Sequence, residues 1–220
     1  MTVETPTTAV TWWTTLHDGM VALRAAATEA RRAYRAAQHA TADVNLDRLR
    51  LDEGAVMVSG AVSGTTVRRR PHERVLRAIG DVYHDAETRL ERVYEQAAMA
   101  YAYGVTWATE QVLAGERPAR ISLPIDTFGD VPYTLPDFGE RLDHWTGAGK
   151  FTRLREALER CLQADEIAAD LASRDYVTEQ EAGEMHDALH VAEGLPDAAF
   201  EYGQAAEEAL AFAYTLTPAQ

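Results

Sequence analysis

The chain has 220 residues, of which 46% are hydrophobic and 25% charged, and its formal net charge is −14 at pH 7. This composition excludes wholesale disorder, and a single cysteine excludes an internal disulfide framework or a multi-cysteine metal cluster. No signal peptide and no apolar run long enough to span a bilayer can be discerned, so we expect a cytoplasmic protein without membrane contact.

The negative charge is concentrated toward the C-terminus. Residues 1–114 contain 13 Arg against 14 Asp or Glu, whereas residues 161–220 contain one base, Arg174, against 13 acids. An acidic surface repels nucleic acid and attracts basic partners, so we do not expect direct nucleic-acid binding. The bases are 20 Arg and one Lys, and there is one Asn, which indicates the GC-rich coding of a high-GC bacterium or its phage.

The first predicted helix covers about residues 8–41. Its apolar residues recur at alternating intervals of three and four, the spacing of a coiled coil or of a helix packed along its length. They are Trp13, Leu16, Met20, Leu23, Ala27, Ala30, Tyr34 and Ala37. A short helix starting after Asp43 and ended by Gly54 should follow, and then either an apolar loop or a small β-hairpin over residues 55–67.

The second long helix is predicted over about residues 71–114, with Pro71 in its first turn. The same spacing predicts a packed seam along it, formed by Tyr83, Ala86, Leu90, Val93, Ala97, Ala100, Gly104 and Trp107. Small residues in both seams permit close backbone approach. We therefore predict that the two long helices pack antiparallel in one bundle.

Residues 115–150 interrupt this pattern, with four prolines and five glycines among 36 residues. A connecting segment of this length is often functional, and we predict a flap or a contact region there. Three shorter helices should follow: the first over 150–172, the second from a Thr178–Glu181 capping box to a stop at Gly194, and the third over about 197–214. The predicted fold is all-α, a single helical domain over residues 1–220.

The densest basic cluster precedes the second long helix and comprises Arg68, Arg69, Arg70 and Arg74. It could contact phosphate or pair with acidic helices in this chain or a second copy. Together with Trp145 in the connecting segment, these residues are the candidates for partner binding.

Three histidines form the most suggestive chemical pattern. His186 and His190 are four residues apart, so on a helix they share a face and could hold one divalent transition metal, with His84 as a third ligand. This pattern resembles the three-histidine site of DinB-like helical-bundle proteins, and the resemblance implies a metal-dependent thiol transferase or isomerase. The paired Glu-x-x-His motifs of ferritin-like di-iron proteins are missing.

The sequence contains no nucleophile elbow, dinucleotide fingerprint or complete phosphate loop, and no catalytic residue can be named. The leading hypothesis is a non-enzymatic interaction, scaffold or regulatory protein without a cofactor. It would bind another protein, or itself as a homo-oligomer, through acidic C-terminal helices and exposed loops. The alternatives are the three-histidine metalloenzyme and, third, an acidic mimic of nucleic acid that inhibits a nucleic-acid-binding protein.

Overall fold

The computed structural model describes residues 7–59, 66–123 and 149–216. Within these ranges the chain forms helices and no strand, so the predicted all-α helical bundle is confirmed. None of the described helices has an 18-residue stretch apolar enough to cross a membrane. The helices are α1 Thr7–Ser59, α2 Thr66–Leu113, α3 Lys150–Ala172, α4 Glu179–Ala192 and α5 Leu195–Leu216.

The first helix is longer than predicted. α1 continues through residues 41–54, so the separate short helix starting after Asp43 is wrong. That stretch contains no proline, and one glycine inside a helix costs only about 1 kcal/mol relative to alanine, too little to end it. The possible hairpin over 55–67 is also corrected, because residues 55–59 belong to α1 and residues 66–67 to α2; residues 60–65 lie outside the described residues.

The chain divides into two compact units, residues 1–27 with 95–220 (unit 1) and residues 28–94 (unit 2). Unit 2 consists of the parts of α1 and α2 that flank their connection. At the ends away from that connection, the Tyr34 hydroxyl donates a hydrogen bond to Glu91 Oε1 at 3.2 Å. α1 and α2 are connected by six residues at one end of unit 2 and are in contact at its other end. The two helices therefore run antiparallel, as predicted. The prediction of a single domain over 1–220 stays a prediction.

The core of unit 1 is built around α5 and the C-terminal half of α2. Half of the α5 residues are buried, including the predicted core positions Phe200, Ala206 and Leu210. The two helices approach closely at Gly203, where a Cβ atom would lie only 2.6 Å from Tyr101 Cδ1. Glycine is therefore required here by the space that the tyrosine ring occupies.

The predicted packing seam is right on α1 and is shifted by one position on α2, where the predicted residue Gly104 is nevertheless buried against Leu23 of α1. On α1, Leu16, Met20, Ala27 and Ala30 are buried, as expected. On α2 the predicted residue Val93 is 51% exposed, and the buried line runs one position later, through Tyr94, Ala98, Tyr101, Val105, Ala108 and Val112. The tyrosines decide the register, because an aromatic ring removes more apolar area from water than valine or alanine does.

The three C-terminal helices follow the predicted order. The capping box of α4 is confirmed: Glu181 N–H donates to Thr178 Oγ1 at 3.2 Å, and Thr178 N–H donates to Glu181 Oε2 at 2.8 Å. The last helix begins slightly earlier than predicted, at Leu195 with Pro196 in its first turn, and α4 ends at Ala192, close to the predicted stop at Gly194. Proline is tolerated there because backbone N–H groups of a first turn have no partner within the helix.

Candidate functional site

The strongest candidate surface is the acidic segment, which we define as residues 165–193. It covers the end of α3, the connecting turn and α4, and it contains one base, Arg174. Arg174 pairs with Asp170 at 2.5 Å and with Glu181 at 2.8 Å, and no other arginine or lysine lies in the segment to offset its remaining carboxylates. Its exposed carboxylates are Asp165, Glu166, Asp170, Asp175, Glu179, Glu184, Asp187 and Glu193.

Large apolar side chains are exposed among these carboxylates. Ile167 is 50% exposed, Tyr176 80%, Leu189 48% and Val191 45%. Single exposed apolar residues are normal on any protein, and these four are distributed over α3, the connecting turn and α4. The acidic segment holds four of the seven large exposed hydrophobic residues of the described chain, so it combines charge with unsatisfied apolar area.

The acidic segment is built on two helices that pack together. α3 packs against both α4 and α5, and its contact with α4 is a cluster of alanines, namely Ala164, Ala168, Ala188 and Ala192. The capping hydrogen bond from the Thr178 backbone N–H is the main reason why the pKa of Glu181 is lowered. The start of α4 is thus anchored, and its exposed side chains project from regular helix.

A second feature of unit 1 is a cleft of about 610 Å³ between α1, α3 and α5. Sequence reasoning missed it, because its residues come from three distant segments that share no motif. The cleft is lined by Trp13, His17, Met20, Arg24, Lys150, Leu154, Glu201, Gln204, Glu207, Glu208 and Ala211.

The cations of this cleft are held by its own carboxylates. Arg24 Nη1 lies 2.6 Å from Glu207 Oε1, and Lys150 Nζ lies 3.4 Å from Glu208 Oε2. The Tyr101 hydroxyl donates to the second oxygen of Glu207 at 2.5 Å. The pair of Arg24 with Glu207 is the tighter of the two, because Glu207 is 18% exposed whereas Lys150 and Glu208 are about half exposed.

Two tyrosines should make the free energy of unfolding depend on pH in alkaline solution. Burial raises the pKa of Tyr101 far above its ordinary value of 10.0, and the hydrogen bond to Glu207 adds to the effect. Burial, with the charge of Glu91, raises the pKa of Tyr34 to about 12. Below about pH 10 both phenols are protonated in the folded and in the unfolded chain, so they do not make the free energy of unfolding depend on pH. Above about pH 10 the phenols ionise in the unfolded chain but not in the folded chain, so the free energy of unfolding falls.

We therefore expect the free energy of unfolding to decline above about pH 10, and Tyr101→Phe to make that decline shallower by up to about 1.4 kcal/mol per pH unit. Urea unfolding at several pH values measures the slope. Tyr176→Phe is the control, because that ring is 80% exposed and should leave the slope as it is. Equal slopes in wild-type and Tyr101→Phe would contradict the prediction.

The structure places the three predicted metal ligands on exposed helix surface. His186 and His190 lie one turn apart on α4, and His190 Nδ1 is 3.3 Å from Glu193 Oε2, while His84 lies on the part of α2 that belongs to unit 2. Among the described residues, no group of three or more His, Cys, Asp or Glu side chains is arranged to hold a metal ion. The three-histidine site stays a prediction.

The predicted partner-binding residues stay predictions as well. Arg68, Arg69, Arg70 and Arg74 lie in the first turns of α2, which begins five residues before the predicted start at residue 71, and their side chains fall outside what the structure describes. Trp145 belongs to residues 124–148, most of the predicted flap or contact region, which also lie outside the described residues.

Comparisons with models of protein families, with curated proteins and with solved structures find no match to this chain.

Proposed function

We propose that this is a non-enzymatic interaction protein that binds another protein through the acidic segment. The observation that carries the proposal is the exposure of Ile167, Tyr176, Leu189 and Val191 among eight exposed carboxylates. Charge alone keeps a surface soluble, whereas apolar side chains at half exposure gain free energy only when another surface covers them.

The chemistry of the segment defines the partner. Carboxylates without an arginine or lysine opposite them favour a basic surface, and the apolar side chains between them require apolar groups in the same partner. An amphipathic helix rich in Lys or Arg on one side and Leu or Ile on the other offers both. The proposed partner is therefore a protein that presents a basic, amphipathic helix, and the proposed compartment is the cytoplasm.

A synthetic amphipathic helix of Lys and Leu tests this chemistry. We expect the full-length protein to bind the fluorescently labelled peptide, and Ile167→Ser with Leu189→Ser to weaken binding by roughly thirtyfold, since each serine removes about 1 kcal/mol of apolar burial. Fluorescence anisotropy measures the dissociation constant. Binding should also weaken with added salt, because exposed charges are screened.

The matched control is Leu216→Ser, which removes a side chain that is 53% exposed but lies at the end of α5, outside the acidic segment. It should leave peptide binding unchanged. A scrambled peptide of the same composition distinguishes specific binding from charge attraction. If the scrambled peptide binds as tightly as the amphipathic one, or if the double serine variant binds like wild-type, the acidic segment is only a solvated surface and the proposal fails.

A further inference from the structure

A second apolar stripe is exposed on α2, within unit 2. Val82 is 69% exposed, Val93 is 51% exposed, and Ala86 between them is exposed as well. At 3.6 residues per turn, these three positions lie within about 40° of one another around the helix. We call them the α2 stripe.

Nothing within the described chain covers this stripe. The contact of α2 with α1 in unit 2 runs through Glu91 and Tyr94, which meet Tyr34. These two positions lie on average about 130° around the helix from the stripe. The helix therefore has one apolar line that packs inside the chain and a second that faces solvent.

Four exposed charges follow one edge of the stripe, on the side away from α1. Asp81 and Asp85 come first along the helix, and Arg89 and Arg92 follow. Each of the four is without an ion-pair partner among the residues that the structure describes. Asp85 and Arg89 have the i,i+4 spacing of a helical ion pair, but the pair is not formed, so these charges remain available to another surface.

The charged edge of one copy is complementary to the same edge of a second copy that runs in the opposite direction. When two copies of a helix pack antiparallel about a twofold axis, the same edge of each copy meets, with its sequence reversed. Asp81 and Asp85 of one copy then face Arg92 and Arg89 of the other. The stripe and the charged edge are both centred between residues 86 and 88. A single twofold axis therefore places Val82 of one copy against Val93 of the other and, at the same time, each aspartate against an arginine.

We infer that the α2 stripe is a homodimer interface, in which α2 of a second copy of this chain packs antiparallel against it. Three turns of helix bury less area than a standard interface, so the dimer forms at micromolar or higher concentration. The charged edge requires the two α2 helices to be antiparallel. In a parallel pair related by a twofold axis, opposite edges of the two helices would meet, and the four charges would have no partners. This interface is distinct from the acidic segment and does not depend on the function proposed for it.

Sedimentation equilibrium of the full-length chain tests the interface. From about 10 µM to about 500 µM, the weight-average mass should rise from the monomer value of 24.3 kDa toward twice that value. Val82→Ser with Val93→Ser should weaken association by at least about tenfold, because both copies lose the contact. A wild-type protein that stays monomeric over this range overturns the inference.

Charge reversal tests the order of the edge. Asp81→Arg with Asp85→Arg should abolish association, and so should Arg89→Asp with Arg92→Asp, because each variant repels its own copy. Mixing the two variants in equal amounts should restore dimers. The variant with all four reversals should also dimerise, since its edge is complementary again only in the antiparallel arrangement.

The matched control is Asp165→Arg with Glu166→Arg, which makes the same change in net charge within the acidic segment and should leave dimerisation intact. Circular dichroism confirms that each variant keeps its helices. A dimer lost in this control but kept in the α2 variants assigns self-association to the acidic segment and overturns the inference. Failure of the fourfold variant to dimerise, with helicity retained, overturns it too.

Discussion

The Gly203→Ala variant should be less stable than wild-type by about 2 kcal/mol. The added methyl group would lie 2.6 Å and 2.7 Å from two carbons of the Tyr101 ring, far inside van der Waals contact. The ring has no room to yield, because Tyr101 is fully buried, is hydrogen-bonded to Glu207 and packs against Phe200 with ring centroids 5.8 Å apart. Overpacking of this kind typically costs about 1–3 kcal/mol, and occasionally more. At so short a distance this cost exceeds the gain of about 1 kcal/mol in helix propensity when alanine replaces glycine.

Urea unfolding followed by tryptophan fluorescence measures the effect. All four tryptophans, at positions 12, 13, 107 and 145, belong by sequence to unit 1, so the signal reports the unit that contains Gly203. Gly183→Ala is the matched control: it also places alanine in a helix, but nothing lies within 4 Å of the new methyl group. That variant should be more stable by up to about 1 kcal/mol. The same sign for both substitutions would contradict the close approach of α2 and α5.

Two adjacent carboxylates should differ strongly in their contribution to stability. Glu207, whose side chain is 18% exposed, accepts hydrogen bonds from both Tyr101 and Arg24. Glu207→Ala leaves the buried tyrosine hydroxyl without this acceptor, and we expect a loss of about 2–3 kcal/mol, since hydrogen bonds to charged groups are the strong ones.

Glu208→Ala is the comparison. Its side chain is 54% exposed and meets Lys150 at 3.4 Å, a surface ion pair that contributes about 0–1 kcal/mol. The same fluorescence-detected unfolding compares the two variants. Added salt should reduce the small effect at Glu208 more than the large effect at Glu207, because solvent ions screen the exposed pair. Equal losses at the two positions would be incompatible with the burial of Glu207.

Local signals in the sequence predicted the fold well. The capping box is complete within four residues, from Thr178 to Glu181, so its hydrogen bonds depend on no distant contact. The seam of α1 was also predicted correctly, because the register one position later is rich in polar residues such as His17, Arg24 and Arg31. The all-α class follows from the same periodicity.

The register of α2 and the cleft could not be predicted in this way. Between Val93 and Trp107 nearly every position of α2 is apolar or small, so several seams satisfy the spacing and only the tertiary environment selects Tyr94 and Tyr101. The cleft depends on how α1, α3 and α5 meet, and no single segment carries its pattern. Lys150 illustrates the difficulty, since its sequence context resembles a phosphate loop while its observed partner is Glu208.

The alanine cluster between α3 and α4 has a consequence for aggregation. The two helices meet through the methyl groups of Ala164, Ala168, Ala188 and Ala192, and α4 buries one residue, Ala188, among its 14. A contact made of methyl groups holds less apolar area than one made of leucines, and among the side chains that the structure describes α4 contributes the fewest buried residues of any helix. Its departure would uncover the small methyl groups of Ala164 and Ala168 beside a strongly charged surface. Such a surface repels other copies of itself, so α4 can open locally without making the chain prone to precipitate.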